Sequence, residues 1–355
     1  MTDGQHKTVP QAVDLAFQDT SLQDVSRTFA LTIPQLPERL RIVVGNAYLL
    51  CRIADTIEDS DSLTLEEKRR FYDEFVAIVA GESGPESFAE TVAPRLTGST
   101  LDAERELIRN TPAVIRILRT FNDRDQAALL RCVRIMSQGM EAFQEGRFAH
   151  GLDDLKHLDD YCYHVAGVVG EMLTELFCSH SEAVARRGPA LRALAVSFGQ
   201  GLQMTNILKD VWDDKQRNVC WLPQSVFEPC GFDLATLDPS HNGKAFQEGL
   251  LKLVGVARSH LENALTYALL LPKSEKGIRA FCLWAIGMAV LTLRKIHRRP
   301  DFTSGSQVKI SRRSVRATIL ATKLLGRHDT LLWLLFRIVA RRLPRAGHVL
   351  GTCAA

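Results

Sequence analysis

The sequence predicts an all-α protein. Apolar residues recur with helical spacing along nearly all of the 355-residue chain, and the alternating pattern typical of strands is missing. Asn-Gly turns between β-branched runs, which indicate hairpins, are absent apart from the isolated Asn242-Gly243. With 46% hydrophobic and 24% charged residues, the composition is that of a globular protein with a sizeable core.

Residues 1–325 are predicted to form a single helical domain. Thr64-x-x-Glu67 has the spacing of a capping box that opens a helix, and 223–240 has the composition of a loop. Another helix is expected to run from near Glu38 toward Glu58. Because no low-complexity block or linker separates two bodies, we treat residues 326–355 as a basic and apolar tail on one domain.

Charge is divided unevenly along the chain. From Arg294 onward there are 14 Lys or Arg against two Asp, whereas the preceding 293 residues hold 30 Lys or Arg against 39 Asp or Glu. An acidic body with a basic tail favours an anionic partner for the tail, and a membrane surface is the partner we expect. The alternative is a solvated basic helix that has no partner. A nucleic-acid partner is not expected, because the basic residues follow an apolar helix and the aromatic residues form no stacking platform.

The apolar stretch Leu331–Ala340 is the nearest candidate for a membrane segment. It is ten residues long and contains Arg337, whereas about 20 mostly apolar residues are needed to cross a bilayer. Two readings stay open: the stretch lies in the membrane interface, or it packs on the protein body. A polar N-terminus without a signal peptide, and eight cysteines without a C-x-x-C pair, indicate a cytoplasmic protein, peripheral at the inner face of a membrane.

A first carboxylate cluster ends an apolar helix. Asp55, Glu58 and Asp59 follow the run Val43–Cys51, which is apolar nearly all round and is therefore expected to be buried. Their i, i+3, i+4 spacing places three carboxylates on one face, where like charges repel. Carboxylates at the end of a buried helix require cations nearby.

A second cluster repeats the pattern. Asp210, Asp213 and Asp214 share the same spacing and follow the stretch Ser197–Leu208, in which glycines permit close helix contact. Two such faces predict a metal-filled cavity, and oxygen-only ligands favour Mg²⁺, which binds through a few carboxylates together with substrate phosphates. Neither cluster has His or Cys at zinc spacing.

Basic residues lie close to both clusters in sequence. They are either ligands for a diphosphate, with Arg as a bidentate fork and Lys as a point charge, or partners that neutralise the carboxylates. These residues are Arg27, Arg52, Lys209, Lys215 and Arg217.

Together these stretches resemble the squalene/phytoene synthase family, and its squalene-forming members most closely. The resemblance covers nearly the whole chain in order. It rests on SRTFA (26–30), DTIED (55–59), YCYHVAGVVGEML (161–173), LQMTNILKD (202–210), DVWDD (210–214) and WLP (221–223). The resemblance implies a single-domain, isoprenoid-synthase-type helical bundle around a central cavity.

The resemblance also implies the activity. Two farnesyl diphosphates would condense head to head to presqualene diphosphate, which NADPH would then reduce to squalene. Asp55, Asp59, Asp210 and Asp214 would act through metal, with Glu58 and Asp213 as further ligands, and Tyr161 would serve proton transfer and diphosphate departure. The substrate-binding positions would be Arg27, Phe29, Arg52, Val165, Lys209 and Arg217.

The NADPH assignment depends on VKISRRS (308–314), which resembles a segment of squalene-forming members. Lys309, Arg312 and Arg313 would contact the 2′-phosphate, or else belong to the basic tail. Dehydrosqualene or phytoene synthesis without NADPH, and a noncatalytic lipid-binding homologue, are the alternatives.

Lys209 stands where many relatives carry Arg, a departure that is expected to weaken the binding of diphosphate. We expect a monomer.

Overall fold

The computed structural model describes residues 10–26, 28–98, 100–145 and 148–346. Over these ranges it contains helices and loops, with no strand beyond an isolated bridge between Leu152 and Pro223. The predicted all-α class is confirmed. In chain order the α-helices are α1 (Ala12–Val25), α2 (Phe29–Thr32), α3 (Glu38–Asp59), α4 (Leu65–Ala80), α5 (Pro85–Val92), α6 (Asp102–Arg109), α7 (Thr111–Leu118), α8 (Asp123–Glu145), α9 (Leu155–Cys162), α10 (Val168–His180), α11 (Glu182–Ala185), α12 (Gly188–Gln216), α13 (Gln224–Phe227), α14 (Lys244–Leu270), α15 (Lys276–Arg298), α16 (Gly305–Val308), α17 (Arg312–Leu325) and α18 (Asp329–Ala340).

The described chain divides into two compact units. The first comprises residues up to 145 together with 172–185, and the second comprises residues 146–171 and those from 186 onward. This division differs from the predicted boundary at residue 325, which falls at the end of α17 inside the second unit. The predicted boundary between the catalytic domain and the tail therefore stays a prediction.

Helix α3 forms the centre of the first unit. Its residues from Leu40 to Ile57 are mostly buried and none is exposed, as its apolar composition predicts. The next helix, α4, begins at the predicted capping box: the Glu67 amide donates to Thr64 Oγ1 at 3.2 Å, and the Thr64 amide donates to Glu67 Oε2 at 2.9 Å. The capping box fixes where α4 begins, and α3, which carries the first carboxylate cluster, ends shortly before it at Asp59.

The second unit is organised by an unusually close approach of two segments. A π-helical stretch, Tyr163–Gly167, joins α9 to α10 and lies against α12. A Cβ on Gly170 would lie 2.0 Å from the Ala195 carbonyl oxygen, and a Cβ on Gly199 would lie 2.0 Å from the Ala166 carbonyl oxygen. Only glycine fits at these two positions, which confirms that the glycines permit close helix contact.

The expectation that Leu331–Ala340 is the nearest candidate for a membrane segment is wrong. Helix α15, with 23 residues and a mean hydropathy of 1.5 over its most apolar window, is long and apolar enough to cross a bilayer by length and composition. In the structure 72% of that window is buried against protein, so α15 is accounted for as a core helix of the second unit.

Candidate active site

The first carboxylate cluster occupies the last two turns of α3. There the Arg52 guanidinium contacts the Glu104 carboxylate through Nη2, while its Nη1 lies 3.7 Å from Asp55 Oδ2. Arg52 thus bridges the motif to α6. Glu104 was not predicted from the sequence, because it is 52 positions from Arg52 and no local pattern connects the two.

Asp55 occupies a desolvated position. Burial raises the pKa of its carboxyl to about 7; Arg52 opposes this shift, and the negative charges of Asp59 and Glu104 reinforce it. Even so, 34% of the Asp55 side-chain surface remains accessible. An aspartate that is this costly to ionise and yet reachable is suited to binding a cation.

The end of α3 is fixed by side chains from other helices. The Glu58 carbonyl oxygen accepts hydrogen bonds from Lys68 Nζ at 2.6 Å and from Gln144 Nε2 at 3.0 Å. The Glu58 side chain is half-buried and Asp59 is exposed. Of the three predicted carboxylates, Asp59 is therefore the most accessible, while the backbone at Glu58 is tied to α4 and α8.

The second cluster lies near the end of α12 and faces the start of α16. A Cβ built on Gly305 would lie 3.1 Å from Asp210 Oδ1 and 3.4 Å from Asp213 Oδ2, so two carboxylate oxygens approach the same point. Lys209 Nζ lies 3.0 Å from Asp210 Oδ2. Burial raises the pKa of Asp210, as it does at Asp55, whereas Lys209 lowers it.

Asp214 has different surroundings. It is buried, and its Oδ1 accepts a hydrogen bond from Arg217 Nη2 at 2.6 Å. The sequence analysis ranked Asp214 with Asp210, yet the structure brings Asp213, which is exposed, to the side of Asp210 at Gly305. Neither assignment as a metal ligand is tested by this arrangement, and both remain predictions.

The donor set fits a hard cation. The accessible groups are carboxylate oxygens, and no three His, Cys, Asp or Glu side chains in the described ranges converge as a ready-made metal site. Mg²⁺ commonly keeps several waters and uses one or two carboxylates together with substrate phosphates. Asp210 and Asp213 provide two such carboxylates in one unit, and Asp55 provides another in the other unit.

Tyr161 is packed face to face on another aromatic ring. Its phenol ring stacks on the indole of Trp221, with centroids 3.8 Å apart and an angle of 10° between the planes. Tyr161 is buried, and Trp221 also contacts Phe148 at 6.1 Å between centroids. Trp221 was noted only as part of a family motif, and its contact with Tyr161 has no signal in the sequence spacing.

The apolar substrate-binding candidates are partly accessible. Val165 lies half-buried in the π-helical segment, a type of helix distortion that is frequent at functional sites. Phe29 in the first unit packs on Tyr48 at 5.3 Å between ring centroids. Arg27 lies outside the described residues.

Comparison with known proteins gives the family. The family model described as squalene/phytoene synthase matches residues 22–314, which is most of the chain. The chain belongs to the squalene/phytoene synthase family. The resemblance seen in its motifs is therefore confirmed.

Within this family, relatives that carry the name squalene synthase are among the most similar. The protein from Schizosaccharomyces pombe is 27% identical over 316 residues, which cover 84% of this chain and 62% of that protein. The one from Gibberella zeae is 29% identical over 279 residues, which cover 78% of this chain and 57% of that protein. The chain thus spans about three fifths of the length of these curated relatives.

A solved structure of TcSQS with a bound ligand has the same fold. It superposes with a TM-score of 0.77 at 24% identity, covering 97% of this chain and 94% of that one. This similarity confirms the predicted all-α fold of the squalene synthase type.

The remaining family-based candidates lie at the start of α17. Lys309, Arg312 and Arg313 are all exposed, and Ser311 caps the helix by accepting a hydrogen bond from the Ser314 amide at 3.1 Å. Two cations in the first helical turn are unfavourable next to the positive end of the helix dipole. Bound phosphate would relieve that cost, which is compatible with the predicted NADPH contact.

Proposed function

We propose that this chain condenses two molecules of farnesyl diphosphate head to head to presqualene diphosphate and reduces that intermediate to squalene. The observation that carries the proposal is the similar character of the two aspartate motifs. Each presents a partly accessible aspartate of raised pKa, Asp55 and Asp210, with a cation beside it, Arg52 and Lys209. The squalene synthase names of its relatives support the same reaction.

Ionisation of an allylic diphosphate requires that the charge of the leaving group be neutralised. Mg²⁺ would supply that neutralisation as a Lewis acid. In the first unit it would be held by Asp55 and Asp59, with Glu58 as a further candidate, and in the second unit by Asp210 and by Asp213 or Asp214. In this proposal the guanidinium groups of Arg52 and Arg217 and the ammonium of Lys209 bind diphosphate oxygens and position the carboxylates. Arg27 is proposed as a further diphosphate ligand.

Carbon–carbon bond formation follows departure of diphosphate. The double bond of the second farnesyl chain attacks the allylic cation, and loss of a proton closes the cyclopropane ring of presqualene diphosphate. We assign Tyr161 to this proton transfer and to assisting diphosphate, as the resemblance to the family implies, and its stacking on Trp221 leaves the ring little freedom to rotate. Phe29 and Val165 contribute apolar surface that keeps water from the carbocation.

In the second half of the reaction presqualene diphosphate loses its diphosphate, the resulting cyclopropylcarbinyl cation rearranges, and hydride transfer ends the sequence. NADPH would supply the hydride when bound. Lys309, Arg312 and Arg313 are proposed to hold its 2′-phosphate, since three exposed cations lie within five residues there.

We also propose a cytoplasmic, monomeric enzyme that works as a peripheral protein at the inner face of a membrane. The support is chemical. Both farnesyl chains and the product are lipids, and the chain from Arg294 onward carries 14 basic residues against two acidic ones.

One assay distinguishes this proposal from its alternatives. The full chain is incubated with farnesyl diphosphate and Mg²⁺, with and without NADPH, and the hydrocarbon is identified by mass spectrometry. Squalene that appears only with NADPH is the expected result. Dehydrosqualene regardless of NADPH, or phytoene from geranylgeranyl diphosphate, would replace the proposal with the corresponding relative, and no turnover of any prenyl diphosphate would favour a noncatalytic lipid-binding role.

A further inference from the structure

The exposed apolar side chains of the described chain are concentrated on two neighbouring helices. Ten large hydrophobic residues are exposed, and six of them lie on α17 and α18. These six are Leu320, Leu324, Leu331, Trp333, Leu334 and Ile338. We call this set the α17–α18 face. Scattered exposed apolar residues are ordinary on a protein surface, but a concentration on adjacent helices indicates an interaction site.

Helix α18 is apolar on both of its sides. Leu332, Phe336 and Ala340, spaced by four residues, pack inward and are buried. On the outward side, Leu334 and Ile338 are 50% and 61% exposed. A helix that is hydrophobic all round is normally enclosed, so the outer side of α18 lacks a partner within the described residues.

The segment that contains the α17–α18 face is rich in cations, and none of them is paired with an acid in the described chain. None of the 14 Lys and Arg residues from Arg294 to Arg345 forms an ion pair within the described ranges. One of the two acids in this stretch, Asp329, is occupied by Arg279 and Lys273, at 2.6 and 3.1 Å. The stretch therefore presents nearly all of its positive charge to the outside.

Two details show that these cations gather together and beside the apolar groups. Burial lowers the pKa of Arg294, and the nearby charges of Arg298 and Arg342 lower it further. The Arg337 guanidinium lies 4.5 Å from the centre of the Trp333 ring, so a cation covers an exposed indole. Tryptophan and arginine side by side are typical of residues at the boundary between headgroups and acyl chains.

Buried arginines fix the face to the second unit at both ends. Arg279 donates to the Gly326 carbonyl oxygen at 3.0 Å and to Asp329 at the start of α18. Arg258 donates to the Leu343 carbonyl oxygen at 2.7 Å. Along α17, the Thr318 side chain packs closely over Gly287 of α15. The α17–α18 face is consequently a folded, preorganised surface, unlike a tail that orders only on contact.

We propose that the α17–α18 face docks the protein onto a bilayer containing anionic lipid, with its apolar side chains entering the interface and its arginines contacting phosphate headgroups. This inference specifies the membrane association proposed above but does not depend on prenyl transfer. A second copy of the chain is disfavoured because two such faces would bring like charges together. Nucleic acid is disfavoured because the projecting groups among the cations are mostly aliphatic.

The test is binding of the full chain to vesicles of phosphatidylcholine alone and of phosphatidylcholine mixed with phosphatidylglycerol. We expect at least about tenfold tighter binding to the anionic vesicles, weakening as salt is added, because each arginine near an anionic surface contributes about fivefold. Trp333 fluorescence should shift to shorter wavelength and be quenched by brominated lipid, and Trp333→Phe should abolish that response.

Two double variants separate the apolar from the electrostatic contribution. Leu334→Ser/Ile338→Ser should lose insertion while keeping every cation, and Arg337→Gln/Arg341→Gln should weaken anionic binding by about 25-fold. Val13→Ser, at an exposed apolar position of α1, is the matched control and should bind as the unaltered chain does. Thermal unfolding verifies that each variant is folded.

Several outcomes would overturn the inference. Equal binding to both kinds of vesicle, or none at low salt, would do so. A dimer of the unaltered chain in sedimentation, replaced by a monomer in Leu334→Ser/Ile338→Ser, would also overturn it. The same holds for binding of short duplex DNA without binding of vesicles. Loss of prenyl transfer with intact vesicle binding would instead contradict the proposed enzyme activity alone.

Discussion

The indole of Trp221 lies flat on the ring of Tyr161, with 3.8 Å between the centroids. Trp221→Leu removes this support, and because small misplacements of a reacting group are costly we expect kcat to fall by about 10- to 100-fold with little change in KM. Trp221→Phe, which keeps a stacking ring, should retain most activity. Steady-state kinetics with farnesyl diphosphate measures both variants, and equal kcat for Leu and Phe would show that the stack does not position Tyr161.

The two aspartates of raised pKa should be required for turnover but not for folding. Asp55→Asn and Asp210→Asn each replace a carboxylate by a neutral amide. We expect turnover to fall by about 10²- to 10³-fold, as it does when other groups that stabilise developing charge are removed. Thermal stability should be unchanged or higher, because a desolvated carboxylate is replaced by a neutral group.

The matched control is Asp73→Asn, at an exposed position of α4, which should turn over normally. Wild-type activity in either Asp55→Asn or Asp210→Asn would remove that residue from the metal-binding set.

The close approach at Gly199 should be intolerant of a methyl group. Since a Cβ there would lie 2.0 Å from the Ala166 carbonyl oxygen, Gly199→Ala must displace the π-helical segment, at a cost of about 1–3 kcal/mol or more in the free energy of unfolding. Gly201→Ala is a graded control, because its nearest contact would be 3.0 Å and alanine favours the helix. Denaturant unfolding compares the two, and equal stability would mean that the segments separate at little cost.

His260 should make the fold less stable in mild acid. Its Nδ1 lies 2.8 Å from Ser197 Oγ, and burial lowers the pKa of the imidazole from 6.5 to about 4. The unfolded chain therefore takes up a proton first, so the stability contributed by neutral His260 is complete above pH 6.5 and is lost as the pH falls toward 4. The loss amounts to at most roughly 3 kcal/mol.

The carboxyl of Asp159, 3.8 Å from His260 Nε2, acts in the opposite direction, because burial raises its pKa to about 6. Its folded form holds a proton more tightly than the unfolded form, which favours folding as the pH falls. His260→Gln isolates the histidine contribution. Because the variant lacks the acid-induced loss, its free energy of unfolding minus that of the wild type should increase steadily as the pH falls from 6.5 to 4. A difference independent of pH would contradict the assigned cause.

Local signals in the sequence were sufficient for the fold class and for the position of both motifs. The capping box at Thr64 and the apolar run of α3 predict the helix that carries Asp55, and the structure places both as expected. Glycine spacing predicted close packing of α12. These features depend on neighbours within a few residues or on composition, which a single sequence displays.

Contacts between distant residues could not be predicted. Glu104 reaches Arg52 from another helix, and Gly305 lies against Asp210 and Asp213 across nearly a hundred residues. The angle at which α12 meets α16 decides that Asp213 shares the side of Asp210, and helical spacing alone permits Asp214 equally. Such choices depend on tertiary packing, for which the sequence provides no local pattern.

The most direct test of the proposed activity follows the hydride. The full chain is supplied with unlabelled farnesyl diphosphate, Mg²⁺ and NADPH deuterated at the transferring position, and the hydrocarbon is analysed by mass spectrometry. Squalene carrying one deuterium, with presqualene diphosphate accumulating when NADPH is withheld, is the predicted result. An unlabelled hydrocarbon formed equally well without NADPH would contradict it.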